Sequence, residues 1–360
     1  MSVCIYGAGK KGEELYEILT RYKNLKISPE YYVDKSKEGN CHGIPIVRLD
    51  DVRDLEVTII IAINCFNIAQ EVFLELKEKG FKDIWWFKEK KRYFGRDFYF
   101  EQCISCAAWQ ENMLEHMEMH VMDACNLNCI GCAHFSPIFE KTIPDFSARV
   151  EDIRKFKEKG IHPVQFNLLG GEPFLNPQLG EYARETRAIL PETDIVIVTN
   201  GLLIPTTSDT VLQSIADNKV KVSISEYEPT HRIIDAICDK LDGFGIVYEI
   251  RSFTTKEKFN KPLSLCVAKT SERLCISDGC ITLWNGKIAR CPTLMYIDAF
   301  NEKFGTQLPN EGIMLLRDCP SGKELLDALK KEVPLCSHCV KNMIEWGVCS
   351  KNVKCEDFAI

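Results

Sequence analysis

Strand-like apolar runs and helix-like amphipathic stretches alternate along most of this chain. Val3 to Tyr6 leads into a glycine turn, Gly7-Ala8-Gly9-Lys10-Lys11-Gly12, and then into Glu13 to Tyr22, whose apolar positions recur at helical spacing. Tyr31 to Val33, ending at Asp34, predicts a second strand, and the β-branched run Val57 to Ile63 a buried parallel one. Gln70 to Lys79 predicts a helix and Ile84 to Phe87 a strand, after which the aromatic and basic stretch Lys88 to Phe100 breaks the rhythm and reads as a linker. The alternation resumes at Glu118: strand Met119 to Met122, helix Phe146 to Lys159, strand Val164 to Leu169, helix Leu179 to Leu190, strand Asp194 to Thr199. Helix Thr210 to Asp217, strand Val220 to Ser225, helix Ile233 to Leu241 and strand Ile246 to Ile250 follow. Five β/α repeats with right-handed crossovers build a curved parallel sheet or part of a barrel. Beyond residue 251 the pattern dissolves into loops, with a hairpin at Asn285-Gly286. The expected organisation is an α/β domain over 1–92, a linker over 93–116, a β/α unit over 117–265 and a loop-rich region over 266–360.

Composition changes this picture in one respect. With 45 Lys and Arg against 52 Asp and Glu, the net charge of −7 excludes a nucleic-acid binder resting on a basic surface. The longest apolar runs, such as Ile59 to Ile63, are far too short to span a membrane. The start MSVCIYGAGKKG has no secretory character, so the chain is expected in the cytoplasm. The 18 cysteines in 360 residues are the anomaly: a reducing compartment keeps so many thiols only for metals or redox work. Apart from Cys4, Cys41, Cys65 and Cys238 they gather around 103–132, 266–291 and 319–355.

Cys125-Asn126-Leu127-Asn128-Cys129-Ile130-Gly131-Cys132 sets three thiols within eight residues, on the loop after the first strand of the second unit. Iron–sulfur clusters are usually closed by four cysteines, so a tight trio without a local fourth leaves one iron for a small molecule. Zinc or plain buried thiols is the alternative, although zinc motifs come as paired CxxC units or with histidines. Gly170-Gly171-Glu172-Pro173 ends the second strand of the same unit. Together the CxxxCxxC and GGEP motifs resemble the radical S-adenosylmethionine (SAM) superfamily, and the resemblance covers residues 117 to about 355. It implies a partial (β/α)6 barrel, a [4Fe-4S] cluster on Cys125, Cys129 and Cys132, and SAM bound on the open iron and cradled by Gly170, Gly171 and Glu172. Asn200, Ser223 and Ser225, at later strand ends, would by similarity contact its methionine or ribose, or else cap helices. The family carries an aromatic residue before the third cysteine, near the adenine. Gly131 stands there in this chain, so Phe135 or His134 is expected to take its place.

Cys275, Gly286 and Cys291 fit the CX9-15GX4C opening of the SPASM and twitch extensions of that superfamily, and Cys336-Ser337-His338-Cys339 supplies a later CxxC. The resemblance implies an auxiliary [4Fe-4S] cluster on Cys275, Cys291, Cys336 and Cys339. Cys349 and Cys355 depart from the full SPASM spacing. Cys280, Cys266, Cys319 and Cys238 have no partner motif, and Cys103 and Cys106 form a lone CxxC on the linker. At the amino terminus Gly7, Gly9, Gly12 and Asp34 have the spacing of a dinucleotide-binding turn. They resemble a truncated Rossmann-like module that either holds a nucleotide or nucleotide sugar or is purely structural. The implied activity is hydrogen abstraction by a 5′-deoxyadenosyl radical, with the auxiliary cluster accepting an electron and a flavodoxin- or ferredoxin-type donor supplying one. A sugar or nucleotide sugar of cell-surface polysaccharide synthesis is the expected substrate. Peptide maturation is the alternative, and an electron-transfer or nucleotide-binding regulatory protein is the non-enzymatic one.

Overall fold

The computed structural model describes residues 2–21, 28–90, 104–108, 112–253, 257–273, 275 and 280–360. They fall into two compact units, 1–111 and 112–360. The first unit contains β1 (Val3–Tyr6), α1 (Lys10–Arg21), β2 (Pro29–Val33), β3 (Gly39–Cys41), β4 (Ile44–Val47), β5 (Thr58–Ile61), α2 (Phe66–Glu78), β6 (Ile84–Lys90) and β7 (Ile104–Ala108). The sheet order is β3-β4-β2-β1-β5-β6-β7, with β3 and β7 antiparallel at the two edges and the five strands between them parallel. That places the five parallel strands in the 3-2-1-4-5 order of a doubly wound sheet. β1 and β5, buried on both faces, are the apolar runs that sequence singled out.

Two strands have residues within the linker expected over 93–116. β7 pairs with β6, and the next strand already begins at Met113, while 93–103 and 109–111, including Cys103, lie outside the described residues. Ile104 to Ala108 is too short a run to stand out from the aromatic and basic residues around it, and its pairing with β6 makes it a strand.

The second unit follows the predicted alternation. It runs β8 (Met113–Met122), α3 (Phe146–Glu158), β9 (His162–Gly170), α4 (Leu179–Ile189), β10 (Asp194–Thr199), α5 (Asp209–Asp217), β11 (Lys221–Ser225), α6 (Ile234–Gly243) and β12 (Tyr248–Arg251). β13 (Lys258–Asn260), β14 (Ile281–Trp284), β15 (Lys287–Ala289), β16 (Met314–Leu315) and β17 (Met343–Glu345) complete it. The large sheet has the order β12-β11-β10-β9-β8-β14-β15-β16. Six of these strands, β12 to β8 and β14, are parallel, and no closed barrel forms among the described residues. The hairpin expected at Asn285-Gly286 is β14–β15, and it joins this sheet rather than standing apart.

Period-two alternation sorts the side chains of this sheet. Met117, Met119, Val121, Phe166, Leu168, Ile195, Ile197, Val222, Ile224 and Leu283 form one core with Ile153 and Phe156 of α3, Tyr182 of α4, Leu212 of α5 and Leu241 of α6. The intervening residues, His116, Glu118, His120, Asn167, Ser223, Ser225, Glu249, Arg251 and Thr282, belong to the opposite face, where the His120 ring stacks at 4.3 Å on Tyr296, between the helices Pro292–Met295 and Ile297–Phe304. A second, smaller core gathers Phe135, Leu294, Tyr296, Phe300, Leu335 and Phe358, with Cys132, Cys291, Cys349 and Cys355 packed against it. Residues 112–360 therefore share one compact unit across the boundary expected at 265.

Candidate metal and cofactor site

Cys125, Cys129 and Cys132 leave the end of β8 on a tightly wound loop. Asn128 and Gly131 take left-handed backbone conformations, φ 54° and 74°, that turn the chain back twice within the motif. The three thiols open on one cavity of about 260 Å³, lined also by Gly170, Gly171, Thr199, Asn200, Ser225, Tyr227, Arg251 and Phe259. Burial pushes the Cys125 thiol up to about 11 and raises Cys129 and Cys132, and the neighbouring sulfurs raise the first two further. Metal must displace those protons. Three thiols of one loop around a shared space fit a cluster held at three irons, with the rest of the cavity for a ligand of the fourth.

The Gly-Gly-Glu-Pro turn is what holds this loop against the sheet. The Gly171 N–H donates to the Met122 carbonyl at 2.9 Å and the Glu172 N–H to that of Ala124 at 3.0 Å. A Cβ on Gly170 would lie 1.8 Å from the Met122 oxygen and one on Gly171 2.2 Å from Ala124 backbone, so both positions require glycine. Glu172 is fully buried, and its carboxylate accepts from Thr199 Oγ1 at 2.6 Å, the Asn200 N–H at 2.9 Å and the Phe174 N–H at 3.1 Å. Burial drives its pKa up to about 7 against those bonds. The turn thereby ties the ends of β8, β9 and β10 together.

Of the residues expected to hold SAM, Gly170, Gly171, Asn200 and Ser225 line the cavity. Asn200 Nδ2 donates to Asn126 Oδ1 at 2.8 Å, bracing the cysteine loop. Glu172, Ser223 and Phe135 are placed otherwise. The Glu172 carboxylate is engaged as above, and buried Ser223 donates to Glu249 Oε1 at 2.7 Å. Phe135, 1% exposed, packs on Phe300 and Phe358 and does not line this cavity. His134 does line the cavity.

Tyr227, Phe259 and Trp346 escape sequence reasoning, whereas Arg251, a charged residue at a predicted strand end, does line the cavity. A Cβ on Gly131 would lie 3.4 Å from Phe259 Cδ1, so the ring absent before the third cysteine is matched by one from β13 beside the same point. Trp346 Nε1 donates to Cys129 Sγ at 3.2 Å and its ring stacks on Tyr227 at 5.4 Å. The tail also grips the loop through its backbone: Ile130 N–H to Gly347 O at 2.9 Å, Gly131 N–H to Asp357 O at 2.7 Å, and Cys349 N–H to Asn128 O at 2.8 Å.

Behind the loop lies a polar chain on β8. His120 Nδ1 meets Asp123 Oδ1 at 3.0 Å, His120 Nε2 meets His134 Nδ1 at 2.8 Å, and His134 Nε2 lies 3.8 Å from Glu118 Oε1. Burial lowers the His134 pKa to about 4, leaving it neutral near pH 7.

The second cysteine group converges as its spacing suggested. Cys275, Cys291, Cys336 and Cys339 line one cavity of about 170 Å³ with Arg273, Arg290, Thr293 and Leu335. Burial raises Cys291 to about 12 and Cys339 to about 11, and the other members of the group add to both shifts. Four thiols with cationic neighbours fit a closed four-cysteine cluster. Cys349 and Cys355 line neither cavity.

In the amino-terminal unit, Gly7 has φ 106°, and a Cβ on Gly12 would lie 1.9 Å from the Gly7 oxygen. Gly9 meets no such obstacle. Both oxygens of Asp34 are already engaged: Oδ2 accepts from the Ala8 N–H at 2.8 Å and Oδ1 from the N–H groups of Ser36 and Lys37 at 2.9 and 3.0 Å. Asp34 therefore stabilises the glycine turn itself.

Comparison with known proteins bears on the second unit. The profile of the radical SAM superfamily matches residues 119–243. The chain is 23% identical over 121 residues to the GTP 3′,8-cyclase of Microcystis aeruginosa, covering 33% of this chain and 36% of that protein. It is 33% identical over 94 residues to the GTP 3′,8-cyclase of Clostridium acetobutylicum, covering 26% and 29%. The chain thus spans about a third of the length of the curated relatives it matches. Among solved structures, BtrN in complex with AdoMet and 2-DOIA aligns at 14% identity with a TM-score of 0.40, over 69% of this chain and 99% of that one. Streptococcus suis SuiB bound to S-adenosylmethionine aligns at 11% identity and 0.34, over 62% and 67%.

Proposed function

We propose that this chain, whose residues 119–243 form a radical SAM domain, oxidises a polar small molecule at a C–H bond, a sugar or nucleotide sugar being the substrate class. Cys125, Cys129 and Cys132 would hold one cluster and Cys275, Cys291, Cys336 and Cys339 a second, and when bound these would supply one-electron chemistry, reductive SAM cleavage at the first and electron acceptance at the second. The protein's own part is to hold, orient and shield. Asn200 and the Gly170-Gly171 turn fix the cysteine loop, and Ser225 and Arg251 supply a donor and a fixed cation on the cavity wall. The tail segment around Trp346 covers the loop, excluding water and oxygen.

The observation that carries this reading is the polar wall of the first cavity. His134 lines the first cavity and lies near Glu118, while the charges around Cys280 include Glu118, Cys291 and Cys275. Glu118 is itself buried and lines neither cavity, so the polar groups open to a substrate are those of the first cavity's wall, His134, Ser225, Tyr227 and Arg251, which suit a polyhydroxylated substrate better than an apolar one. The amino-terminal turn stays outside this chemistry, because both Asp34 oxygens are engaged within its own loop. A flavodoxin- or ferredoxin-type protein is the proposed electron donor.

The test is anaerobic. Reduced protein with its iron sites filled should convert SAM to 5′-deoxyadenosine, and deuterium from a C–H-labelled nucleotide sugar should appear in that product. No 5′-deoxyadenosine from fully loaded protein overturns the reading. Label transfer only from a peptide overturns the substrate class.

A further inference from the structure

One set of metal-binding side chains on the polar face of the large sheet belongs to neither expected ligand set. β8 and β14 are parallel neighbours in the register Met117 opposite Ile281 and Glu118 opposite Thr282. Carried back one residue, the register sets Cys280 level with His116. Thr282 Oγ1 donates to Glu118 Oε1 at 3.1 Å, so the pairing extends to the side chains. His116 Nε2 lies 3.9 Å from Glu118 Oε2, and one ligand atom from each of His116, Glu118 and Cys280 falls within 4.8 Å of the others.

The chemistry of the set is selective. An imidazole, a carboxylate and a thiolate together suit a borderline ion of the zinc class, and a hard cation such as magnesium would not choose the sulfur. Around tetrahedral zinc, bonds of about 2.0 to 2.3 Å put neighbouring ligand atoms roughly 3.3 to 3.8 Å apart, so the trio closes on an ion by a contraction of about 1 Å. Thr282 holds the first oxygen of Glu118 and turns the second towards His116, the outer-shell orientation that metal-binding carboxylates show. Two of the ligands sit on a paired strand and the third directly precedes another, which fixes them better than a loop would.

We propose that His116, Glu118 and Cys280 bind one divalent ion of the zinc class, separate from both iron–sulfur sites, with its fourth position open to water or an oxygen of the substrate. His116 and Cys280 are partly exposed and Glu118 is buried.

The probe is zinc itself. Protein with its iron–sulfur sites filled is dialysed against chelator, equilibrated with zinc and assayed for zinc and iron by mass spectrometry, with X-ray absorption at the zinc edge. The expected result is about one zinc per chain with sulfur and nitrogen or oxygen neighbours, bound at least tenfold more weakly by Cys280→Ser and His116→Gln while iron content holds. His116 is partly exposed, so its variant keeps the test independent of folding, and Cys266→Ser, at an exposed thiol, should retain zinc. The proposal is overturned by protein that binds no zinc, by zinc that leaves with Cys125→Ala or Cys336→Ala instead, or by a Cys280→Ser variant that loses iron rather than zinc.

Discussion

The two cysteine groups solve the same problem in opposite ways. The first takes three thiols from eight consecutive residues, and the fold's work is to brace that loop with the Gly-Gly-Glu-Pro turn, Asn200 and the tail. The second draws four thiols from positions 275 to 339, brought to one cavity by a hairpin and a short 3-10 turn, Pro334–His338. A local motif leaves one side open, so its cavity is also lined by Asn200, Ser225 and Arg251. A dispersed motif supplies four thiols, with Arg273, Arg290, Glu332, Leu294, Val333 and Leu335 in its wall. In the proposed function the three-thiol site is the place for chemistry and the four-thiol site the place for an electron.

The largest test of that contrast is to remove one ligand from each. Cys129→Ala and Cys336→Ala should each lower iron from about eight to about four per chain. Only the first should abolish 5′-deoxyadenosine formation, while the second should keep SAM cleavage and lose product. Equal loss of SAM cleavage in both would erase the distinction between the sites.

Much of this was legible in the sequence because the signals are local. The five β/α repeats have apolar runs on one face, and the CxxxCxxC and GGEP strings are contiguous. β8 is the instructive exception: Met119 to Met122 was expected and Met113–Met122 is found, because His116, Glu118 and His120 put polar residues on the face opposite the large core and break the apolar run. Tyr227, Phe259 and Trp346 had no local signal, since only the paired β13 and β17 and the tail's hydrogen bonds bring them to the loop. Glu172 was found by its motif, but its three donors come from tertiary structure, which no spacing reveals.

Glu172 provides the next test, because the bracing it gives belongs to the first site alone. Glu172→Ala leaves three buried donors without an acceptor, a loss of about 3 kcal/mol in unfolding free energy, read by denaturant titration. SAM affinity should fall with it, and the iron count of the second site should hold.

The same carboxylate makes a pH test of the cluster-free protein. Its folded pKa of about 7 lies above the ordinary 4.5, so its contribution is present at low pH and lost as pH rises through 7. His134, lowered to about 4 from 6.5, acts in the opposite sense: its contribution is present above 6.5 and lost as pH falls through 4. Each amounts to about 3 kcal/mol, so between pH 4.5 and 6.5 the two cancel and stability stays nearly level. With Glu172→Ala the His134 slope should stand alone, and stability should rise with pH across that window. A variant as level as the parent would mean that neither group titrates in that window.

The smallest expected effect is electronic. Trp346 Nε1 donates to the Cys129 sulfur at 3.2 Å, and its ring stacks on Tyr227. A hydrogen bond to a ligating sulfur withdraws charge and favours the reduced cluster. Trp346→Phe keeps an aromatic ring against Tyr227 and deletes the donor, so the first cluster should become harder to reduce by about 1 kcal/mol, roughly 40 mV for one electron. The second cluster, whose sulfurs meet the backbone N–H groups of Val333 at Cys336 and Leu294 at Cys291, shares none of this and should keep its potential. An EPR-monitored redox titration reads the two signals separately. A shift in the first alone means that the tail tunes the site it covers, whereas no shift, or a shift in both, removes the tail from the electronics and leaves it only a shield.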